Sequence, residues 1–195
     1  NGKKCDAIRQ SLDDWWNRGI ITEDEFYYLL ASLLDAADKV ANTASVYGAF
    51  LKHIKKTAQK ELTLKRLNIV ESNRECKAYN REGVELASEI PCDILYMDPP
   101  YNQRQYCANY HVLETIARND SPPVKDVTGL RPYQEQKSKW CVKRLVAGEL
   151  ERIVKATKAR YVFLSYNSEG LMHSKVVLEI MSSYGEASVL TKDYG

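Results

Sequence analysis

Apolar positions recur at helical spacing along the first third of the chain, and then the period changes. Ile8, Leu12, Trp15 and Trp16 fall on one side of a helix predicted over residues 5–18, with Gly19 placed to end it. Thr22-Glu23-Asp24-Glu25 has the form of a capping box, a hydroxyl followed three residues on by a carboxylate. The helix it opens is predicted to run to about residue 42, because Phe26, Leu29, Leu30, Leu33, Ala37 and Val40 keep the helical period. A third helix is expected from Thr43 to about Leu62, apolar at Val46, Phe50 and Ile54. Tyr27, Tyr28 and Tyr47 are expected to be core or edge rings rather than base stackers.

Beyond residue 68 or so, short strand-like and helix-like stretches alternate. Strands are predicted near residue 68 and over Cys76–Tyr79, then a short helix over Val84–Glu89 and a strand over Asp93–Met97. A helix follows over Tyr110–Arg118. Residues 120–134 carry Pro122, Pro123, Gly129 and Pro132 and are predicted to be a loop. A long helix is expected over Gln136–Lys158, with a break near Gly148, then a strand over Tyr161–Leu164, a helix over His173–Ser183 and a strand over Ala187–Thr191. Such alternation implies an α/β fold built on a parallel sheet. The expected organisation is a helical region over residues 1–66 and an α/β portion over residues 67–195.

Bulk properties narrow the class. A chain of 195 residues is long enough to bury a sizeable core, as one domain or one domain with an insertion. No apolar run approaches the roughly 20 residues needed to span a bilayer, and no signal peptide is visible. The cysteines, Cys5, Cys76, Cys92, Cys107 and Cys141, are odd in number and form no CxxC pair. Reduced thiols in the cytoplasm fit that pattern, and neither a metal site nor a disulfide is expected. Net charge is only +2, but it is unevenly spread. An acidic beginning gives way to a basic stretch at Lys52, Lys55, Lys56, Lys60, Lys65 and Arg66, and a second basic group sits at Lys137, Lys139, Lys143 and Arg144. These runs are either solvated faces or phosphate contacts.

The chemistry concentrates at Ile94-Leu95-Tyr96-Met97-Asp98-Pro99-Pro100-Tyr101-Asn102. An apolar strand ends in Asp98, at the carboxyl edge where open α/β sheets place ligands. Proline fixes its own backbone angle, offers no N–H and keeps the preceding residue extended. The corner is therefore stiff, with the Asp98 carboxylate and the Pro99 carbonyl left as acceptors and the Tyr101 ring free to stack. A pair of acceptors beside a flat ring suits a base that carries an exocyclic amine.

Asp98-Pro99-Pro100-Tyr101 resembles the DPPY motif of the DNA adenine-N6 methyltransferases, the Dam-like class, in its restriction-modification branch. The similarity extends through residues 102–106, Asn109-Tyr110-His111-Val112-Leu113-Glu114, residues 163–170 and a helical insertion over residues 39–52. It implies a partial Rossmann-like methyltransferase sheet with a helical recognition region at the N-terminus. It also implies S-adenosylmethionine as methyl donor, double-stranded DNA as substrate, a bacterial or phage-type setting near the nucleoid, and a cognate restriction endonuclease as a partner. The Gly-containing FxGxG loop of that class has no counterpart here, so the chain is expected to be a fragment. In this light Asp98, Pro99, Pro100 and Tyr101 are the candidate catalytic residues. Glu82 and Asp98 are the candidate cofactor contacts, Glu82 equally being a helix N-terminal acid. Candidate substrate contacts are Arg104, Gln105, Tyr106, Tyr110 and Asn167, together with Lys52, Lys55 and Lys56 on the expected basic helix. Arg104 equally suits a surface ion pair. Ser165, Tyr166 and Asn167 either line the pocket or make a turn, and His111 is expected to be buried and hydrogen-bonded. Two other readings stand beside this one: methylation of an RNA base or protein amide through a related motif, and a non-catalytic DNA-binding fragment or subunit.

Overall fold

The structure, a computed structural model, describes residues 1–49 and 51–193. In chain order its elements are α1 (Gly2–Asn17), α2 (Glu23–Lys39), α3 (Gly83–Glu89), β1 (Ile94–Met97), α4 (Tyr106–Asn109), α5 (His111–Arg118), α6 (Val146–Ala156), β2 (Tyr161–Leu164) and α7 (Ser174–Ser182). Single 3-10 turns lie at Gln134–Gln136 and Lys139–Cys141. Contacts divide the chain into two units that interleave in sequence. The first holds Asn1–Arg74 and Tyr106–Glu135, the second Glu75–Gln105 and Gln136–Gly195.

In the first unit, local chemistry sets both ends of the opening helices. Gly19 adopts φ +66°, a conformation in which a Cβ is costly, and closes α1. Its N–H donates to Trp16 O at 2.9 Å and that of Ile20 to Trp15 O at 2.8 Å, the paired bonds of a Schellman end. The predicted capping box forms in full: the Thr22 hydroxyl accepts from Glu25 N, and the Glu25 carboxylate accepts from Thr22 N at 2.8 Å. Phe26, Leu30, Leu33 and Ala36 line the buried side of α2 and meet Leu12 of α1. Each such large side chain contributes about 1.5–3 kcal/mol when fully buried. Trp16 stacks on Phe26 at 4.6 Å, yet Trp15 and Trp16 stay partly exposed, so the apolar side of α1 is carried by Leu12.

Arg9 ties this pair to α5. Its guanidinium is buried and donates to Ile116 O at 2.8 Å and Ala117 O at 3.0 Å, carbonyls of the last turn of α5. It also bonds Asp13 and lies over the Phe26 ring at 5.4 Å. Asn119, left-handed at φ 49°, closes α5 and donates to Asp13 at 2.7 Å. Burial raises the Asp13 carboxyl, but the bonds from Arg9 and Asn119 outweigh it and hold the group below its ordinary value. Arg131, also buried, forks onto Asp120 at 3.1 and 2.5 Å and draws that carboxyl down as well. His111 is fully buried, with its ring nitrogens 2.8 Å from Ala108 O and Thr128 O, in keeping with its expected role. Tyr28 and Tyr47 serve the fold through their hydroxyls: Tyr28 exchanges bonds with Leu67 and Tyr47 donates to Asp38.

The expected third helix does not form: residues 43–49 and 51–62 are turns and irregular chain. Asn42 organises this stretch, accepting from Lys55 N at 2.9 Å and donating to His53 O at 3.3 Å, which takes those main-chain groups away from a helical ladder. Ser45 sits at φ 70°, outside the helical region. Phe50, expected on the apolar side of that helix, lies outside the described residues. Leu62 still reaches the core, held by its N–H on Asn1 Oδ1 at 2.9 Å.

In the second unit, β1 and β2 pair in parallel with Ile94 opposite Tyr161 and Met97 opposite Leu164. Leu95, Met97, Val162 and Leu164 form the inner face and pack with Ala87, Leu150, Ile153 and Met172. Val146, Leu150, Ile153 and Val154 repeat at helical spacing and bury one stripe of α6. The helix runs unbroken through Gly148 but begins at Val146 rather than residue 136. Ahead of it, both main-chain groups of Ser138 are engaged by the Gln105 side chain, so this stretch turns instead of coiling. The strands expected near residue 68, over Cys76–Tyr79 and over Ala187–Thr191 are irregular chain, since a strand needs a paired neighbour. Among the described residues the sheet thus has two strands, and the fold is mixed helix and parallel sheet. No helix of the described residues is long and apolar enough to cross a membrane.

Replacing Arg9 by Met is expected to destabilise the chain by about 2–4 kcal/mol, because two helix-terminal carbonyls and a partly buried carboxylate lose their partner. Urea denaturation reads this directly; a loss within experimental error would show that Arg9 is dispensable. Stability should also fall in acid. The Asp13, Glu25 and Asp120 carboxyls are lowered in the folded state, so their contribution is complete above the unfolded values of about 4 and is lost as pH falls through the folded ones. Denaturation midpoints on either side of that window should show the drop, and Asp13→Asn should flatten it.

Candidate active site

Both strands end at the same edge of the sheet. Ser165 N donates to Met97 O at 2.9 Å, carrying the pairing one step past β1 and setting residues 165–167 beside Asp98. Asp98 itself is exposed, and its carboxylate accepts no hydrogen bond from any described residue. Pro99, Pro100 and Tyr101 are half-buried. Neither proline has an amide hydrogen, so the corner is held from its carbonyl side. Tyr101 O accepts from Leu171 N at 2.8 Å, and the Tyr166 hydroxyl stands 3.5 Å away.

Three further ties hold the segment after the prolines. Asn102 Oδ1 accepts from Arg104 N at 2.9 Å, making a tight turn. The Cys141 thiol donates to Arg104 O at 3.3 Å. Gln105 donates from its amide to Ser138 O at 3.1 Å and accepts from Ser138 N at 2.8 Å. The Gln105 side chain thus spends one donor and one acceptor on its own fold. The Arg104 guanidinium, in contrast, is exposed and pairs with no described carboxylate.

The other sequence-predicted residues fall as follows. Glu82 is the exposed N-cap of α3 and accepts from Gly83 N at 3.2 Å. Asn167 accepts from Glu169 N at 2.8 Å within the turn after β2. All of these belong to the second unit with Asp98. Tyr106 and Tyr110 belong to the first unit, exposed and edge to face at 5.8 Å. Lys52, Lys55 and Lys56 are also in the first unit, exposed on irregular chain rather than a helix, with Lys55 Nζ on Thr43 O at 2.8 Å.

The sequence leaves Tyr166 open between lining the pocket and making a turn, and it gives Gly170, Ser138 and Cys141 no part in the site. The first two lie inside a stretch that already resembled a known motif, Phe163-Leu164-Ser165-Tyr166-Asn167-Ser168-Glu169-Gly170, and that was the available signal. Ser138 and Cys141 lie 33 and 37 residues from their partners and carried none. Burial raises the Tyr166 phenol, opposed in part by bonds from the Met172 and Leu171 amides, so it acts as a neutral donor and acceptor near pH 7.

Several known proteins are similar to this chain over nearly its whole length. The type II methyltransferase M.NlaIII of Neisseria lactamica is 46% identical over 194 residues, taking in 100% of this chain and 58% of that protein. The type II methyltransferase M.FokI of Planomicrobium okeanokoites is 42% identical over 185 residues, or 95% of the chain and 29% of that protein. The modification methylase StsI of Streptococcus sanguinis is 37% identical over 184 residues, or 94% and 28%. The chain therefore spans from under a third to just over half the length of these relatives. No solved structure matches it. The pattern of the D12 class N6 adenine-specific DNA methyltransferases matches residues 1–180, and the chain belongs to that family.

Proposed function

We propose that this chain carries the adenine-holding half of a site-specific DNA adenine-N6 methyltransferase. The observation that supports this most is the state of Asp98: an exposed carboxylate without a protein partner, at the carboxyl end of β1, followed by a corner tied down behind it. The N6 amine of adenine is a poor nucleophile because its lone pair is delocalised into the ring. Asp98 and the Pro99 carbonyl are two acceptors for its two hydrogens. Accepting both favours a pyramidal nitrogen and localises the lone pair, and the gain comes from fixed dipoles and position. Asp98 need not be a strong base, since the amine becomes acidic once methylated.

In a duplex the target amine is paired, so the base has to leave the stack. Tyr101 then stacks on it, an interaction worth about 1–3 kcal/mol per base in single-strand binders. S-adenosylmethionine, when bound, supplies an electrophilic methyl group on a sulfonium. Two exposed carboxylates, Glu82 and Asp98, fit its adenine amine and its positive charge, and they are this chain's contribution to holding it. The two-stranded parallel sheet is in this reading part of a Rossmann-like sheet. Residues 1–66 are the recognition region and residues 67–195 the catalytic portion. Lys52, Lys55, Lys56 and Arg104 are exposed cations suited to phosphate, with Tyr106, Tyr110 and Asn167 near the substrate. Gln105 contributes mainly by fixing the segment. The substrate is double-stranded DNA, the setting is the cytoplasm near the nucleoid, and a cognate restriction endonuclease accompanies the enzyme.

Asp98→Ala in the longer protein that carries this chain should lower methyl transfer to adenine-containing duplexes on the order of 100- to 1,000-fold, the cost of removing a preorganised polar partner. Because Asp98 is exposed and bonds no described residue, the same variant should unfold within about 0.5 kcal/mol of the parent. Transfer of a radiolabelled methyl group measures the first and urea denaturation the second. Undiminished transfer in this variant would refute the assigned chemistry.

A further inference from the structure

Tyr166 and Gly170 form a contact that permits no side chain. A Cβ built on Gly170 would lie 2.3 Å from Tyr166 Cε1, 2.9 Å from Tyr166 Cζ and 2.9 Å from Asn167 O. The ring thus lies directly on the glycine backbone. It is not a loose chain end that could swing aside. The Tyr166 hydroxyl accepts from Met172 N at 3.3 Å and stands 3.5 Å from Tyr101 O, so the ring is pinned at its far end. Gly170 N in turn donates to Asn167 O at 2.9 Å, closing the turn beneath the ring.

The consequence reaches the Asp98 corner. Leu171, the residue after Gly170, donates the short bond to Tyr101 O, and Pro99 and Pro100 have no amides with which to secure the corner themselves. Where the Leu171 N–H sits depends on how closely the turn folds over Tyr166. We infer that Tyr166, seated on Gly170, is a positioning residue for the motif. By fixing the turn at residues 166–172 it fixes the Tyr101 carbonyl, and with it the direction in which the Tyr101 ring and the Pro99 carbonyl face the base. The inference rests on the adenine-holding reading of Asp98–Tyr101 for its functional half, while its structural half stands on the hydrogen bonds alone.

Two variants and two measurements test it in the longer protein that carries this chain. Gly170→Ala forces the ring off its seat, and Tyr166→Phe keeps the ring but removes the hydroxyl. In both, exchange of the Leu171 amide hydrogen should quicken about tenfold or more, the loss of one modest hydrogen bond's worth of protection. In both, kcat for methyl transfer should fall about 10- to 100-fold through misplacement of the reacting groups, while KM for the duplex stays within about threefold. A merely structural role would lower the amount of folded protein and leave kcat per folded molecule unchanged, and that result overturns the proposal. Should Gly170→Ala not fold, Tyr166→Phe carries the test alone, and unaltered Leu171 exchange in it also overturns the proposal. If the parent protein transfers no methyl group, the adenine-holding reading fails by itself, and the exchange measurement still decides whether Tyr166 holds the corner.

Discussion

Two consecutive residues without an N–H stand at the edge of the sheet, in the candidate site, and the surrounding chain supplies what they lack. Pro99 and Pro100 stiffen the turn, but they also deprive it of the donors by which a loop usually secures itself. Support has to arrive at carbonyls, from elsewhere in the sequence. It comes from Leu171 on the Tyr101 oxygen, from Cys141 on the Arg104 oxygen, and from Ser138 against the Gln105 amide. These partners lie on the chain leading into α6 and on the turn after β2. The parallel pairing of β1 with β2 brings that turn alongside Asp98. The result is a corner whose outward acceptors are unspent while its inner side is fully tied.

The first unit solves a comparable problem with charge. The last turn of α5 leaves carbonyls in need of donors, and Asp13 and Asp120 lie beside it as acceptors. Arg9 and Arg131 supply them from buried positions. Arg9 reaches two main-chain oxygens and the Asp13 carboxylate together, and Arg131 forks onto both oxygens of Asp120, which a lysine could not reproduce in that geometry. Buried arginine thus organises this part of the unit from within.

Legibility in the sequence followed whether the deciding contact was local. The capping box at Thr22, the glycine end of α1 and the stripe of α2 all depend on residues within a few positions of one another, and all formed as expected. The stretch from Thr43 to Leu62 misled because its apolar spacing suited a helix while Asn42 claimed the main chain of His53 and Lys55 from a distance of 11 and 13 residues. The start of α6 was misjudged for a similar reason, since Gln105 bonds Ser138 across 33 residues. For the candidate site, Asp98–Tyr101 stood out as an ordered motif at the end of an apolar strand. Its supports did not, because a glycine under a tyrosine ring is visible only once the turn is closed.

The interleaving of the two units has a bearing on how the protein is made. Arg9 caps the carbonyls of Ile116 and Ala117, more than 100 residues further along the chain, and the second unit's β1 is synthesised in between. That strand must itself wait for β2, more than 60 residues later, before it has a partner. The first unit lacks its last elements until residue 135 is made, and the second cannot close until β2 follows. During translation each unit passes an interval with part of its apolar surface uncovered, the consequence of joining partners far apart in sequence.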